Sequence, residues 1–146
     1  MITELVSSFL VVAVFIVAYY MITGIPPGAE LIEEAPPVAN TLDTNQSKFM
    51  FFYTSWCPYC KNADQPWKSL QQYIKNGNLR YGGKSVTFEE INCESDKGKK
   101  SLYNIQAYPT FKLETPNKVY VMVGKPSVSN FRAFLQKALG DEKPFN

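Results

Sequence analysis

The sequence contains no histidine and only three cysteines, Cys57, Cys60 and Cys93, in 146 residues. The first absence removes a His general base, Ser–His and Cys–His nucleophile pairs, and every imidazole metal ligand. The second removes a disulfide-scaffolded fold, since three thiols make one bridge and leave one over. Basic side chains are missing from the front of the chain: residues 1–43 carry five acids and no Lys or Arg, and the first basic residue is Lys48. Between Leu5 and Thr23 there is no charge of either sign.

That uncharged run, LVSSFLVVAVFIVAYYMIT, has nineteen residues. At ~1.5 Å rise per residue a helix of this length spans the ~30 Å hydrocarbon core of a bilayer. The expectation is a transmembrane anchor over residues 1–24, touching lipid through 5–23. A cleaved signal peptide needs a basic n-region, a shorter apolar core and small residues before the cut. Here only Glu4 precedes the run, and Tyr19, Tyr20 and Met21 stand where small residues are wanted. Orientation rests on little, because Lys48 lies beyond the roughly 15–20 residues over which positive charge sets topology. Glu30, Glu33 and Glu34 come soon after the run and lean the remainder toward the lumenal or external side. Residues 25–45, with Pro26, Pro27, Pro36 and Pro37, read as an extended linker that favours polyproline II and holds the rest of the chain away from the lipid.

Residues 44–146 carry fifteen basic against eight acidic side chains, +7. The lysines are scattered rather than clustered with aromatics, which points to a solvated face and away from nucleic acid. KFMFFYT from Lys48 is a continuous apolar run of strand length, as in a strand buried on both faces. Cys57 to Asn76 is helical by the spacing of Trp67, Leu70, Tyr73 and Ile74, with Pro66 inside. Ser85–Cys93 reads as a strand and Ser95–Tyr103 as a short helix. Thr110–Leu113 and Val119–Val123 form a hairpin across Pro116-Asn117. Phe131, Phe134, Leu135 and Leu139 mark a last helix, with Ser127 or Ser129 as N-cap and Gly140 at its stop. The folded domain spans 46–141 and a tail 142–146; its order is strand, helix, strand, helix, strand, strand, helix.

Cys57 and Cys60 fall where the first of those strands gives way to a helix. Residues i and i+3 share a helix face, within reach of the ~5.5 Å Cα separation a disulfide prefers. The first thiol meets the positive end of the helix dipole, where free N–H groups favour a thiolate. Cys57 is therefore the candidate nucleophile and Cys60 the less exposed resolving thiol. Pro58 fits the first helical turn, whose N–H groups lack intrahelical partners. The same spacing supplies half of many zinc sites, but Cys93 is the one further thiol and no histidine exists, so no metal or other cofactor is expected.

Phe52-Tyr53-Thr54-Ser55-Trp56-Cys57-Pro58-Tyr59-Cys60-Lys61 resembles the active-site segment of the thioredoxin superfamily, nearest to protein disulfide isomerase-type domains. Ile91-Asn92-Cys93, Tyr103-Asn104-Ile105 and Ala107-Tyr108-Pro109-Thr110-Phe111 are similar to the later half of such domains. The resemblance implies a thioredoxin-like α/β fold, a central mixed sheet flanked by helices. It implies a cis Pro109 beside the dithiol, and a substrate surface of Trp56, Pro58, Tyr59, Tyr108, Pro109 and Thr110, with the Tyr108 backbone free to pair with an extended segment. The partners it implies are protein thiols and disulfides.

The departures from the family shape the expectation. Where thioredoxins and disulfide isomerases bury a carboxylate six residues before the first cysteine, this chain has Phe51, so slower turnover is expected. The histidine of the isomerase Cys-Gly-His-Cys motif is absent. The family's first strand and helix are shortened or lost between Asn40 and Ser47, and Lys125 stands where isomerases often carry a loop arginine, as an exposed lysine. Cys93 lacks the partner isomerases place seven residues on, here Lys100, which makes it a buried inert thiol. The Pro-Tyr dipeptide resembles glutaredoxins, yet Gly124-Lys125 stands where they carry two glycines. The expected activity is membrane-anchored thiol–disulfide exchange. The alternatives are glutathione-dependent reduction and a non-catalytic anchored module of a virion or its membrane, as in thioredoxin-like chains of large DNA viruses.

Overall fold

The structure, a computed structural model, describes residues 1–24, 32–35, 38 and 42–146. Strand β2 (Gln46–Tyr53) is the apolar run of the sequence and lies inside the main sheet. It pairs in parallel with β4 (Ser85–Asn92) and antiparallel with β5 (Thr110–Glu114). Beyond β5 come β6 (Val119–Met122) and then β1 (Ile32–Ala35), both antiparallel, giving the order β1-β6-β5-β2-β4.

Successive side chains of a strand point to opposite faces, so β2 feeds two cores. Phe49 and Phe51 pack beneath α2 (Pro58–Asn76) and α4 (Val128–Leu139), against Trp67, Leu70, Phe111, Phe131 and Phe134. Met50 and Phe52 pack on the other face, with Ile91 of β4, Cys93 just after it, and Tyr103 and Ile105 from the segment following α3 (Lys97–Leu102). The ring of Phe49 lies 4.9 Å from Trp67, and Phe51 stacks on Phe111 at 4.9 Å. This is the expected mixed sheet with helices on its faces. Pro66 sits inside α2, and Ser127 caps α4 by accepting the Asn130 N–H at 3.1 Å.

Three short strands depart from the sequence expectation. Strand β1 falls inside the stretch read as linker; β3 (Leu79–Tyr81) and β7 (Glu142–Pro144) pair with each other, so part of the expected tail is a strand. Runs of three or four residues are too short to carry a hydrophobic period, and backbone pairing alone defines them. The polyproline reading of Pro26, Pro27, Pro36 and Pro37 lies outside the described residues.

The N-terminal helix α1 (Ile2–Thr23) is long and apolar enough to cross a membrane by length and composition. It ends in Gly24, whose left-handed backbone (φ 70°) returns its N–H to Tyr20 O at 2.8 Å. Its end is not held off from the domain as the linker expectation had it. Lys125 donates its backbone N–H to Thr23 O (3.2 Å) and its Nζ to Met21 O (2.8 Å), and Asn130 Nδ2 reaches Thr23 O at 3.3 Å. A cation and two further donors thus meet carbonyls the last helical turn leaves without partners, at the negative end of the helix dipole.

The C-terminal strand is held by one carboxylate. Glu142 takes Arg132 in a fork (Nε 3.0 Å, Nη2 2.8 Å) and accepts the hydroxyls of Tyr81 (2.6 Å) and Tyr73 (2.9 Å). The Arg132 hydrogen bond, aided by the tyrosines and opposed by burial, draws this carboxyl down to about 2. A folded-state value below the unfolded one stabilises the fold above the ordinary carboxylate range, and that contribution disappears as pH falls toward the lowered value. Glu142→Ala should therefore cost about 2–3 kcal/mol near neutral pH in urea unfolding. The gap to wild type should shrink between about pH 5 and pH 2; a gap independent of pH would deny the carboxylate this role.

Candidate active site

The site is built by the passage from β2 into α2. Cys57 is the N-cap of α2, with extended backbone (φ −77°, ψ 111°), and its Sγ accepts the Cys60 N–H at 3.1 Å. Pro58 is the first helical residue, where a missing N–H costs nothing. Cys57 and Cys60 are joined as a disulfide, with Cα atoms 5.3 Å apart. The turn leading in is pinned from β4's end: Glu94 accepts both the Ser55 N–H (2.7 Å) and the Ser55 hydroxyl (2.5 Å). The hydroxyl bond first, then the N–H, holds the Glu94 carboxyl below its usual range.

The expected contrast in exposure between the two sulfurs is absent. Cys57 is 3% exposed and Cys60 4%. The reason is geometric: the closed bridge and the Cys60 N–H hold Sγ of Cys57 back over the first turn of the helix. What distinguishes the two residues is position on the helix, Cys57 at its electropositive mouth and Cys60 one turn inside.

The residues expected at the rim lie around the dithiol as follows. Trp56 (66% exposed), Pro58 and Tyr59 (71%) stand out from the surface. Tyr108 meets Trp56 edge-on at 6.1 Å, and the Tyr108–Pro109 peptide is cis. Thr110 begins β5 and turns its hydroxyl to Ala107 O (2.7 Å). A cavity of about 430 Å³ opens between Tyr59, Asn62, Pro109 and the Gly124–Pro126 loop. Sequence reasoning missed Asn62; Lys125 is exposed, as expected, and in addition bonds to the end of α1 and lines this cavity. No local sequence signal marks such a tertiary contact.

Phe51 occupies the place of the family carboxylate, buried and stacked on Phe111. Cys93 lies apart, in the core on the opposite sheet face, with Sγ 3.9 Å from Ile91 O. Burial pushes its thiol up, against a weaker pull from Tyr108 and Lys100. Among the described residues no group of three or more His, Cys, Asp or Glu is placed to hold a metal.

Residues 38–137 match the family described as thioredoxin. Among curated proteins, the chain is 28% identical over 85 residues to human DnaJ homolog subfamily C member 10, covering 58% of this chain and 10% of that protein. It is 30% identical over 106 residues to a thioredoxin domain-containing protein of Theileria parva, covering 72% and 43%. The chain thus spans a small part of the first relatives it matches, 10% of the DnaJ homolog and 19% of a putative protein disulfide-isomerase of Dictyostelium discoideum. Of solved structures, the first two thioredoxin domains of Naumovozyma dairenensis Eps1p superpose with a TM-score of 0.56 at 23% identity, covering 80% of this chain and 43% of that one. Human ERp44 gives 0.56 at 20% identity, covering 67% and 29%. These structural likenesses speak to the fold.

In the reduced, native protein Cys93 should resist iodoacetamide while Cys57 reacts, and unfolding should open Cys93 to the reagent. Peptide mass spectrometry reads this directly; Cys93 labelling as fast as Cys57 would contradict its buried, inert role.

Proposed function

The chain belongs to the thioredoxin family, and from that premise we propose that it is a membrane-anchored thiol–disulfide oxidoreductase acting on protein substrates. The observation that carries this is the Cys57–Cys60 bridge across the first turn of α2, with Cys57 as N-cap. In the reducing direction the Cys57 thiolate attacks a substrate disulfide, forming a mixed disulfide and releasing one substrate thiolate. The Cys60 thiolate then attacks Sγ of Cys57, the enzyme disulfide closes, and the second substrate thiolate leaves. Two electrons pass from the dithiol to the substrate; the oxidising direction reverses each step.

Trp56, Pro58, Tyr59, Tyr108, Pro109 and Thr110 form the substrate surface, and the Tyr108 backbone pairs with an extended segment. Two exposed aromatic rings offer apolar area to many sequences, which suits broad recognition.

Residues 1–24 act as the anchor, α1 running about 33 Å at ~1.5 Å per residue. The catalytic domain then takes 46–141 as its body, with β1 and β7 added at its edges. Its placement is lumenal or external, as the acids after α1 suggest. Hydrogen bonds from Lys125 and Asn130 to the end of α1 support a domain seated at the lipid surface. The substrates that suit this are thiols close to the bilayer.

The test is a Cys60→Ser chain expressed in full length and purified under alkylating conditions. Partners should be held covalently through Cys57 and stay with carbonate-washed membranes. If no mixed disulfide accumulates and Cys57→Ser leaves exchange activity unchanged, the enzyme reading fails and a docking module takes its place.

A further inference from the structure

Closing the cycle requires Cys60 to lose a proton, because the thiolate and not the thiol attacks sulfur. Cys60 is buried, and Phe51 beside it cannot accept a proton. A cleft of about 290 Å³ opens at Cys60, lined by none of the rim residues Trp56, Tyr59, Tyr108 and Pro109. At roughly 30 Å³ per molecule it holds several waters. The charged side chains facing it are Lys61 and Asp64 from α2 and Glu90 from β4.

Glu90 stands where the proton has to go. It is the register partner of Phe51 across the β2–β4 ladder. Two residues from Phe88, it lies on the same sheet face, and Phe88 packs on Trp67 at 5.3 Å. The Trp67 indole N–H donates to Glu90 Oε1 at 3.0 Å, which orients the carboxylate at the wall of this cleft. Asp64, the other acid, is tied to Lys68 at 2.7 Å. The cleft wall also holds the Thr54 hydroxyl, buried and without a hydrogen-bond partner among the described residues. A hydroxyl both donates and accepts, so it can pass a proton along a water chain.

We propose that Glu90, reaching across from the neighbouring strand, takes the Cys60 proton through this cleft. The step rests on the dithiol reading above. The Cys60 S–H proton moves through water to the Glu90 carboxylate. The thiolate attacks Sγ of Cys57, the Cys57–Cys60 bond forms as the bond from Cys57 to the substrate sulfur breaks, and the substrate leaves as thiolate. The proton on Glu90 then returns to solvent. Lys61, at the same cleft, favours the charged sulfur while it lasts.

The experiment mixes the reduced, full-length protein in detergent micelles with a peptide disulfide, quenches with acid, and tracks the mixed disulfide by mass. Its build-up reports attack by Cys57, and its decay reports resolution by Cys60. Glu90→Gln keeps an acceptor for the Trp67 N–H but cannot take a proton. It should slow decay about tenfold, less than the strongest general bases because the transfer is relayed by water. Build-up and melting temperature should stay at wild-type values, and Glu90→Asp should recover part of the loss. Asp64→Asn should stay within about twofold of wild type. Wild-type decay in Glu90→Gln, an equal loss in Asp64→Asn, or a parallel fall in build-up overturns the assignment. A wild-type chain that never forms the mixed disulfide sinks the proposed function, and this inference with it.

Discussion

A backbone N–H of Cys60 pointing at the sulfur of Cys57 is the contact on which the chemistry of this fold depends. A helix leaves its first N–H groups without internal partners, and here a sulfur rather than an oxygen fills the cap. When the bridge is open, that donor and the helix dipole favour negative charge on the same atom. The cap stands only because β2 delivers the chain to that point in one register. A slip of one residue would exchange Phe49 and Phe51 for Met50 and Phe52, turning both rings that β2 sets beneath Trp67 to the wrong face. The aromatic core thus sets the aim of the site, and Ser55 bonded to Glu94 steadies the last turn before it.

The parts of the molecule with strong, long-range pattern were legible in the sequence. β2 is a continuous apolar run, α2 repeats its apolar residues at three and four, and α4 begins at a serine and stops at a glycine. The dithiol was legible because its two cysteines straddle a strand–helix boundary. What could not be read depends on contacts across the fold. β1, β3 and β7 are defined by their partners, and the fork of Glu142 on Arg132 joins residues with no local signature. The closed bridge hides Cys57, so exposure did not separate the thiols, although helix position did.

Two positions near the dithiol differ from what the sequence resemblance implies. Phe51, where the resemblance implies a carboxylate, fills its place with ring packing, and its cross-strand partner Glu90 is an acid on the same cleft. Lys125 lines the cavity beside Tyr59 and Pro109 and bonds the last turn of α1. The cleft at Cys60 and the cavity beside Tyr59 and Pro109 thus have separate linings.

The most direct measurement is the alkylation rate of Cys57 in the reduced, folded chain, against an unfolded peptide of the same Ser-Trp-Cys-Pro-Tyr-Cys sequence. At about pH 6 the folded cysteine should react at least about tenfold faster, because the helix N-terminus holds more of it as thiolate. Equal rates would show that the cap does nothing for the sulfur, and the proposed chemistry would lose its foundation.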